Sequence, residues 1–108
     1  MIDWERAKDL KQTIGAKAFD EVVLLFLEEA DETLAQLCVA TTAESMKSGL
    51  HILKGCALNL GFTDLAQLCQ IYETRAETGD KDLPLNEVQT IYNVSRAEFL
   101  ADLAKMTA

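Results

Sequence analysis

Apolar residues return along this chain every three or four positions, and nowhere in simple alternation. The clearest run is Phe19, Val22, Val23, Phe26, Leu27, Ala30, Leu34, Leu37 and Cys38, with Glu28, Glu29, Asp31 and Glu32 largely between them. It predicts a long amphipathic helix from about Ala16 to Val39. A shorter helix precedes it, from about Asp3 to Ile14, with Asp3 as its N-cap and Gly15 as its terminating glycine. Thr41-Thr42 breaks the pattern and offers a cap for a third helix, about Ala43 to Leu60, closed by Gly61. A fourth begins near Thr63, whose hydroxyl suits an N-cap, and ends near Thr78. Its core stripe is Leu65, Leu68, Cys69, Tyr72 and Ala76. Gly79-Asp80-Lys81-Asp82 is a polar turn, and Pro84 stands where proline tolerates a helix start. The fifth helix carries Leu85, Val88, Ile91, Tyr92, Phe99, Leu100, Leu103 and Met106. Four long amphipathic helices with short connections predict an all-α fold. The expected form is an antiparallel up-and-down four-helix bundle with a short additional N-terminal helix, one domain over residues 1–108.

Composition agrees with this and narrows the partners. The chain has 108 residues, 49% hydrophobic and 26% charged, enough to bury a core without metal or disulfide. A formal net charge of −8 argues against nucleic acid as the main partner and against docking on anionic lipid. The N-terminus, Met1-Ile2-Asp3-Trp4-Glu5-Arg6, lacks a basic start followed by an apolar run, and Val22 to Leu27 is too short to span a bilayer. Cys38, Cys56 and Cys69 are odd in number and form no C-x-x-C pair, so they read as reduced thiols packed in the core of a cytoplasmic protein.

One histidine, His51, stands in the whole chain. On the wheel of the third helix, Met46, Leu50, Leu53, Ala57 and Leu60 make one stripe, and Lys47, Ser48, His51, Lys54, Gly55 and Leu58 another. The stripe centres differ by roughly 145° at about 100° per residue, which puts His51 on the outer face. A neutral imidazole carries a nucleophilic nitrogen near neutral pH. Lysines one turn before and after it attract an anionic phosphoryl group and disfavour a protonated ring. Gly55 leaves a gap beside the ring, and a mid-helix glycine costs about 1 kcal/mol relative to alanine. Either close helix packing or the approach of a large partner accounts for it. Leu58 adds an apolar contact on the same face.

The stretch His51-Ile52-Leu53-Lys54-Gly55-Cys56-Ala57-Leu58-Asn59-Leu60-Gly61-Phe62 resembles the signature of histidine-containing phosphotransfer (HPt) domains, roughly H-x-L-K-G-S-[SA]-x-x-L-G. The resemblance continues through Leu65, Leu68, Cys69 and Glu73. It implies a phosphoryl carrier in a multistep two-component phosphorelay. His51 matches the phosphorylated histidine, Lys54 the lysine that interacts with the phosphoryl group, and Gly55 the glycine that gives a receiver domain clearance. Glu73 matches the acidic or amide position that holds the imidazole from the next helix. Lys47, Ser48, Gly55 and Leu58 are the expected partner-binding residues. Cys56, Leu58 and Leu50 depart from the pattern, where serine, a small residue and alanine are usual. Leu58 bears on which partner fits, and Cys56 raises the question of a redox-sensitive thiol near the site.

No G-x-x-x-x-G-K-[ST] loop or glycine-rich lid is present, so the chain is expected to bind no cofactor and to have no ATP-dependent kinase activity of its own. The resemblance implies donors and acceptors of a single kind: receiver domains of a hybrid histidine kinase and of a response regulator, with Mg2+ on the receiver. The carrier itself is expected to be a monomer. A binding-only bundle that docks a receiver or kinase without being phosphorylated is the main alternative. A kinase dimerisation pair fits less well, because Ile52 rather than an acid follows His51. A carboxylate-bridged metal bundle needs Glu-x-x-His, and Ser48 occupies the required position. Zinc spacing is lacking too, and nothing marks a nucleophilic serine.

Overall fold

A computed structural model describes residues 2–107, with side chains described as far as 103; the expected core position Met106 lies outside the described side chains. The described residues form five helices: α1 (Trp4–Ile14), α2 (Ala16–Cys38), α3 (Ala43–Leu60), α4 (Thr63–Glu77) and α5 (Leu85–Thr107). They contain no strand, only an isolated antiparallel bridge between Ile2 and Phe62. Helices α2, α3, α4 and α5 touch in a closed cycle, and α1 packs on α2 and α3. None of the described helices is long and apolar enough to cross a membrane.

Local chemistry sets most boundaries. The Asp3 carboxylate accepts from the Glu5 and Arg6 amides, and the Thr42 hydroxyl accepts from the Ser45 amide at 3.1 Å. Gly15, at φ 89°, ends α1 with its N–H on the Lys11 carbonyl, and α2 follows directly. Gly61, at φ 81°, ends α3 in the left-handed region, and the next amide, that of Phe62, donates back to Ala57 at 2.8 Å. A side chain at Gly61 is doubly forbidden, since its Cβ would fall on the Asp3 carbonyl. The Asp3 amide in turn donates to the Gly61 carbonyl at 2.6 Å, so the N-terminal segment is fastened to the end of α3.

Three sequence expectations are corrected. Thr63 is not the N-cap of α4 but its first residue; Phe62 takes the cap position with no side-chain cap, because its ring is fully buried and fixes the turn. Phe62 lies edge-on to Phe99, which stacks on Trp4, so one aromatic cluster joins α1, α5 and the α3–α4 turn. Cys38 is exposed rather than core: it is the last residue of α2, roughly 100° round from buried Leu37. Leu100 is likewise turned outward, next to buried Phe99. Met46, Leu50, Leu53, Ala57 and Leu60 are all buried, as is Cys56 beside them.

Candidate functional site

Burial of that α3 stripe forces the opposite stripe outward, and a second helix meets its edge. His51 lies one turn after Lys47 and one before Lys54 on α3, while α4 sets Gln70, Glu73 and Glu77 along a single facing side. Glu73 reaches across the seam: its Oε2 lies 3.1 Å from His51 Nδ1, and its Oε1 lies 3.0 Å from the Lys54 ammonium. Lys54 also donates to Gln70 Oε1 at 2.8 Å. Lys47 pairs with Glu77 at 3.2 Å.

Exposure separates these groups by task. The His51 side chain is 68% exposed, whereas Glu73 and Lys54 are 13% and 19% exposed. The ring therefore projects while the groups that hold it lie beneath. A carboxylate only accepts, so the hydrogen bond at Nδ1 requires the proton there and leaves the Nε2 lone pair on the solvent side. Desolvation pushes the Glu73 carboxyl upward, but hydrogen bonds and charge from Lys54 and His51 outweigh it and hold the group below its ordinary range. Glu73 Oε1 is closed to solvent and makes no well-angled hydrogen bond among the described residues; the Lys54 charge is what compensates it.

The two lysines thus differ from the bare cations expected beside the ring. Each is engaged by an α4 carboxylate, and neither charge acts on the imidazole uncompensated. Ser48 is exposed and lines an open depression with Glu44, Lys47, His51, Ile52, Glu73 and Glu77. Leu58 is exposed on the same helix, its carbonyl accepting from Arg6 Nε at 3.3 Å. Gly55 separates the two explanations of a mid-helix glycine, because a Cβ built there meets nothing within 4 Å. Among the described residues, no contact requires its smallness. Gly49, not singled out from sequence, is the packing glycine: its Cβ would lie 2.7 Å from Leu37 Cδ2.

Gln70, Glu77 and exposed Ile52 also belong to this neighbourhood and were not among the site residues expected from the sequence. The signal for the first two was the spacing of Gln70, Glu73 and Glu77, which share one side of a helix. The Cys56 thiol is buried and pushed up to about 11, first by desolvation and then by the charge of Glu29, which suppresses the reactive thiolate. Among the described residues, no group of three or more His, Cys, Asp or Glu side chains is placed to hold a metal ion.

A protein-family model described as Hpt domain matches residues 21–106, most of the chain, leaving α1 ahead of the matched span. Comparison with curated proteins and with solved structures gives no match.

Proposed function

The chain belongs to the Hpt domain family, whose members carry out histidine phosphotransfer in phosphorelays, and from that premise we propose that His51 is its phosphoryl-carrying residue. The observation that carries the proposal is the hydrogen bond from Nδ1 to Glu73, beneath a ring whose other nitrogen faces outward. The Nε2 lone pair attacks the phosphorus of an aspartyl phosphate on a receiver domain. The bond from phosphorus to the aspartate oxygen breaks, and the carboxylate leaves with its electron pair. The Nδ1 proton stays on the imidazole, and Glu73 stabilises the positive charge that the ring gains. Reversal of the same step onto a second receiver discharges the carrier.

The fuller reading is a relay station between a hybrid histidine kinase's receiver and a response regulator's receiver. The receiver supplies the aspartate and Mg2+. This chain supplies nucleophile, lysine and docking face, and has no ATP-dependent kinase activity of its own. Lys54 stabilises the transferred group, Glu73 orients the ring, and Lys47, Ser48, Gly55 and Leu58 meet the partner. Open space at Gly55 favours that use of the glycine. Residues 1–108 act as one cytoplasmic, monomeric domain, with α2 to α5 as an antiparallel up-and-down bundle. The closed cycle of contacts and the short connections support that topology.

Labelling of the protein by a phosphorylated receiver tests the proposal. The wild-type protein gains an acid-labile, base-stable adduct, and His51→Gln gains none while keeping its helicity. Equal labelling of His51→Gln contradicts the assignment. A receiver that binds tightly yet never labels the wild-type protein points instead to a docking-only bundle.

A further inference from the structure

Lys54 does not lie free beside the histidine. It is engaged twice from α4: it donates to Gln70 Oε1 at 2.8 Å, and its charge pairs with Glu73 Oε1 at 3.0 Å. The Gln70 amide is itself oriented. Its Nε2 donates to Thr74 Oγ1 at 3.1 Å, and the Thr74 hydroxyl spends its only proton on the Gln70 carbonyl at 3.0 Å. Flipping the amide would put two acceptors face to face at Thr74 and an amide N–H against the Lys54 ammonium. Gln70 is therefore locked as an acceptor towards Lys54, although the glutamine itself is exposed and packs into no core.

We propose that Gln70 is a positioning residue for phosphoryl transfer: together with Glu73 it fixes the Lys54 ammonium on the α3–α4 seam, leaving a remaining N–H of that ammonium for a phosphoryl oxygen on His51. This inference rests on the reading of His51 as the phosphorylated residue. A free lysine loses the rotamer freedom of a four-carbon chain when it engages the phosphoryl group; here that loss is met on folding. Gln70 also serves Glu73 indirectly. If Lys54 swung away, Glu73 Oε1 would be left enclosed with no cation, and its hold on the imidazole would change.

The test uses a receiver domain that labels the wild-type protein, with its aspartate phosphorylated by phosphoramidate. Single-turnover transfer is followed over a range of receiver concentrations for wild type, Gln70→Ala, Lys54→Ala and the double variant. Gln70→Ala is expected to slow transfer at saturating receiver roughly tenfold, the scale of one lost hydrogen bond to a charged group, with half-saturation within about twofold of wild type. In the Lys54→Ala background, Gln70→Ala is expected to cost nothing further, since its effect runs through the lysine. Far-ultraviolet circular dichroism checks that all four proteins are folded. Transfer by Gln70→Ala at the wild-type rate, or the same tenfold loss with and without Lys54, overturns the inference while leaving His51 as the carrier. If no phosphorylated receiver labels the wild-type protein, the reading beneath it fails.

Discussion

Two seams of this protein are built from the same three kinds of group. On the α2–α5 seam, Asp31 accepts from the Tyr92 hydroxyl at 2.5 Å and from Arg96 through Nε at 3.1 Å and an amino group at 3.0 Å. On the α3–α4 seam, Glu73 takes Nδ1 of His51 and the ammonium of Lys54. Each set comprises a carboxylate, an aromatic ring with a donor, and a cation, and the two are arranged inside out. Tyr92 is 1% exposed, while Asp31 and Arg96 lie near the surface. His51 is exposed, while Glu73 and Lys54 are mostly covered. A buried ring tied to a surface ion pair anchors two helices. An exposed ring tied to a covered ion pair is fixed in orientation with its free edge in solvent, the arrangement the proposed carrier role requires. Under the proposed function, which member of the triad faces solvent distinguishes a clamp from a presented reactant.

The largest expected effects come from exchanging the losses. His51→Gln is expected to abolish phosphoryl labelling and to leave unfolding free energy within about 0.5 kcal/mol, since an exposed side chain is replaced. Tyr92→Phe should retain labelling but lose about 1.5–3 kcal/mol of stability, the scale of a hydrogen bond to a charged partner. Urea unfolding beside a labelling assay checks both. A Tyr92→Phe protein that is fully stable yet fails to accept phosphoryl would erase the distinction between the seams.

The two glycines of the α3 signature sharpen it. Gly61→Ala meets both a left-handed backbone and the Asp3 carbonyl, so it should cost at least about 2 kcal/mol. Gly55→Ala meets open space and should gain up to about 1 kcal/mol of helix stability while weakening receiver docking, seen as a higher half-saturating receiver concentration.

The seams should also respond at opposite ends of the pH scale. The Glu73 carboxyl is held below its ordinary value of 4.5, so it contributes stability above that value and loses it as pH falls through its lower folded value. The difference in unfolding free energy between wild type and Glu73→Gln should therefore shrink as the pH falls below about 4.5. The Tyr92 phenol is raised from 10.0, first by burial and then by its bond to Asp31. Its contribution is complete below pH 10 and declines as the pH climbs through the raised folded value, so wild type and Tyr92→Phe should converge in strong alkali. A Glu73→Gln difference that grows in acid reverses the sign and contradicts the pairing. The smallest effect is expected from Lys47→Ala, within about 0.5 kcal/mol, because its pair with Glu77 is open to solvent.

Much of this was legible from residue spacing. Asp3, Gly15, Thr42 and Gly61 mark helix ends by their own backbone and side-chain chemistry, so the boundaries of α1 and α3 followed from single residues. The wheel of α3 placed His51 outward because the buried stripe is complete. What spacing conceals is which helix lies beside which. Thr63 offered a cap hydroxyl, but the burial of Phe62 set the turn. Cys38 continued an apolar repeat but falls roughly 100° round from buried Leu37. The ion pairs of Lys47 and Lys54 needed the register of α4 against α3, and Gln70 carries no mark of its own until that register is known. Gly55 and Gly49 are both mid-helix glycines, and only the surroundings of each distinguish an intramolecular contact from open space.

The most direct measurement locates the phosphoryl group on the ring. Protein labelled with 15N at histidine is charged by a phosphorylated receiver, and the imidazole nitrogens are assigned before and after. Because Glu73 holds the proton on Nδ1, the account predicts an Nδ1–H tautomer beforehand and a nitrogen–phosphorus bond at Nε2 of His51 afterwards, with Nδ1 still protonated. A phosphoryl group on Nδ1, or on any residue other than His51, would contradict it.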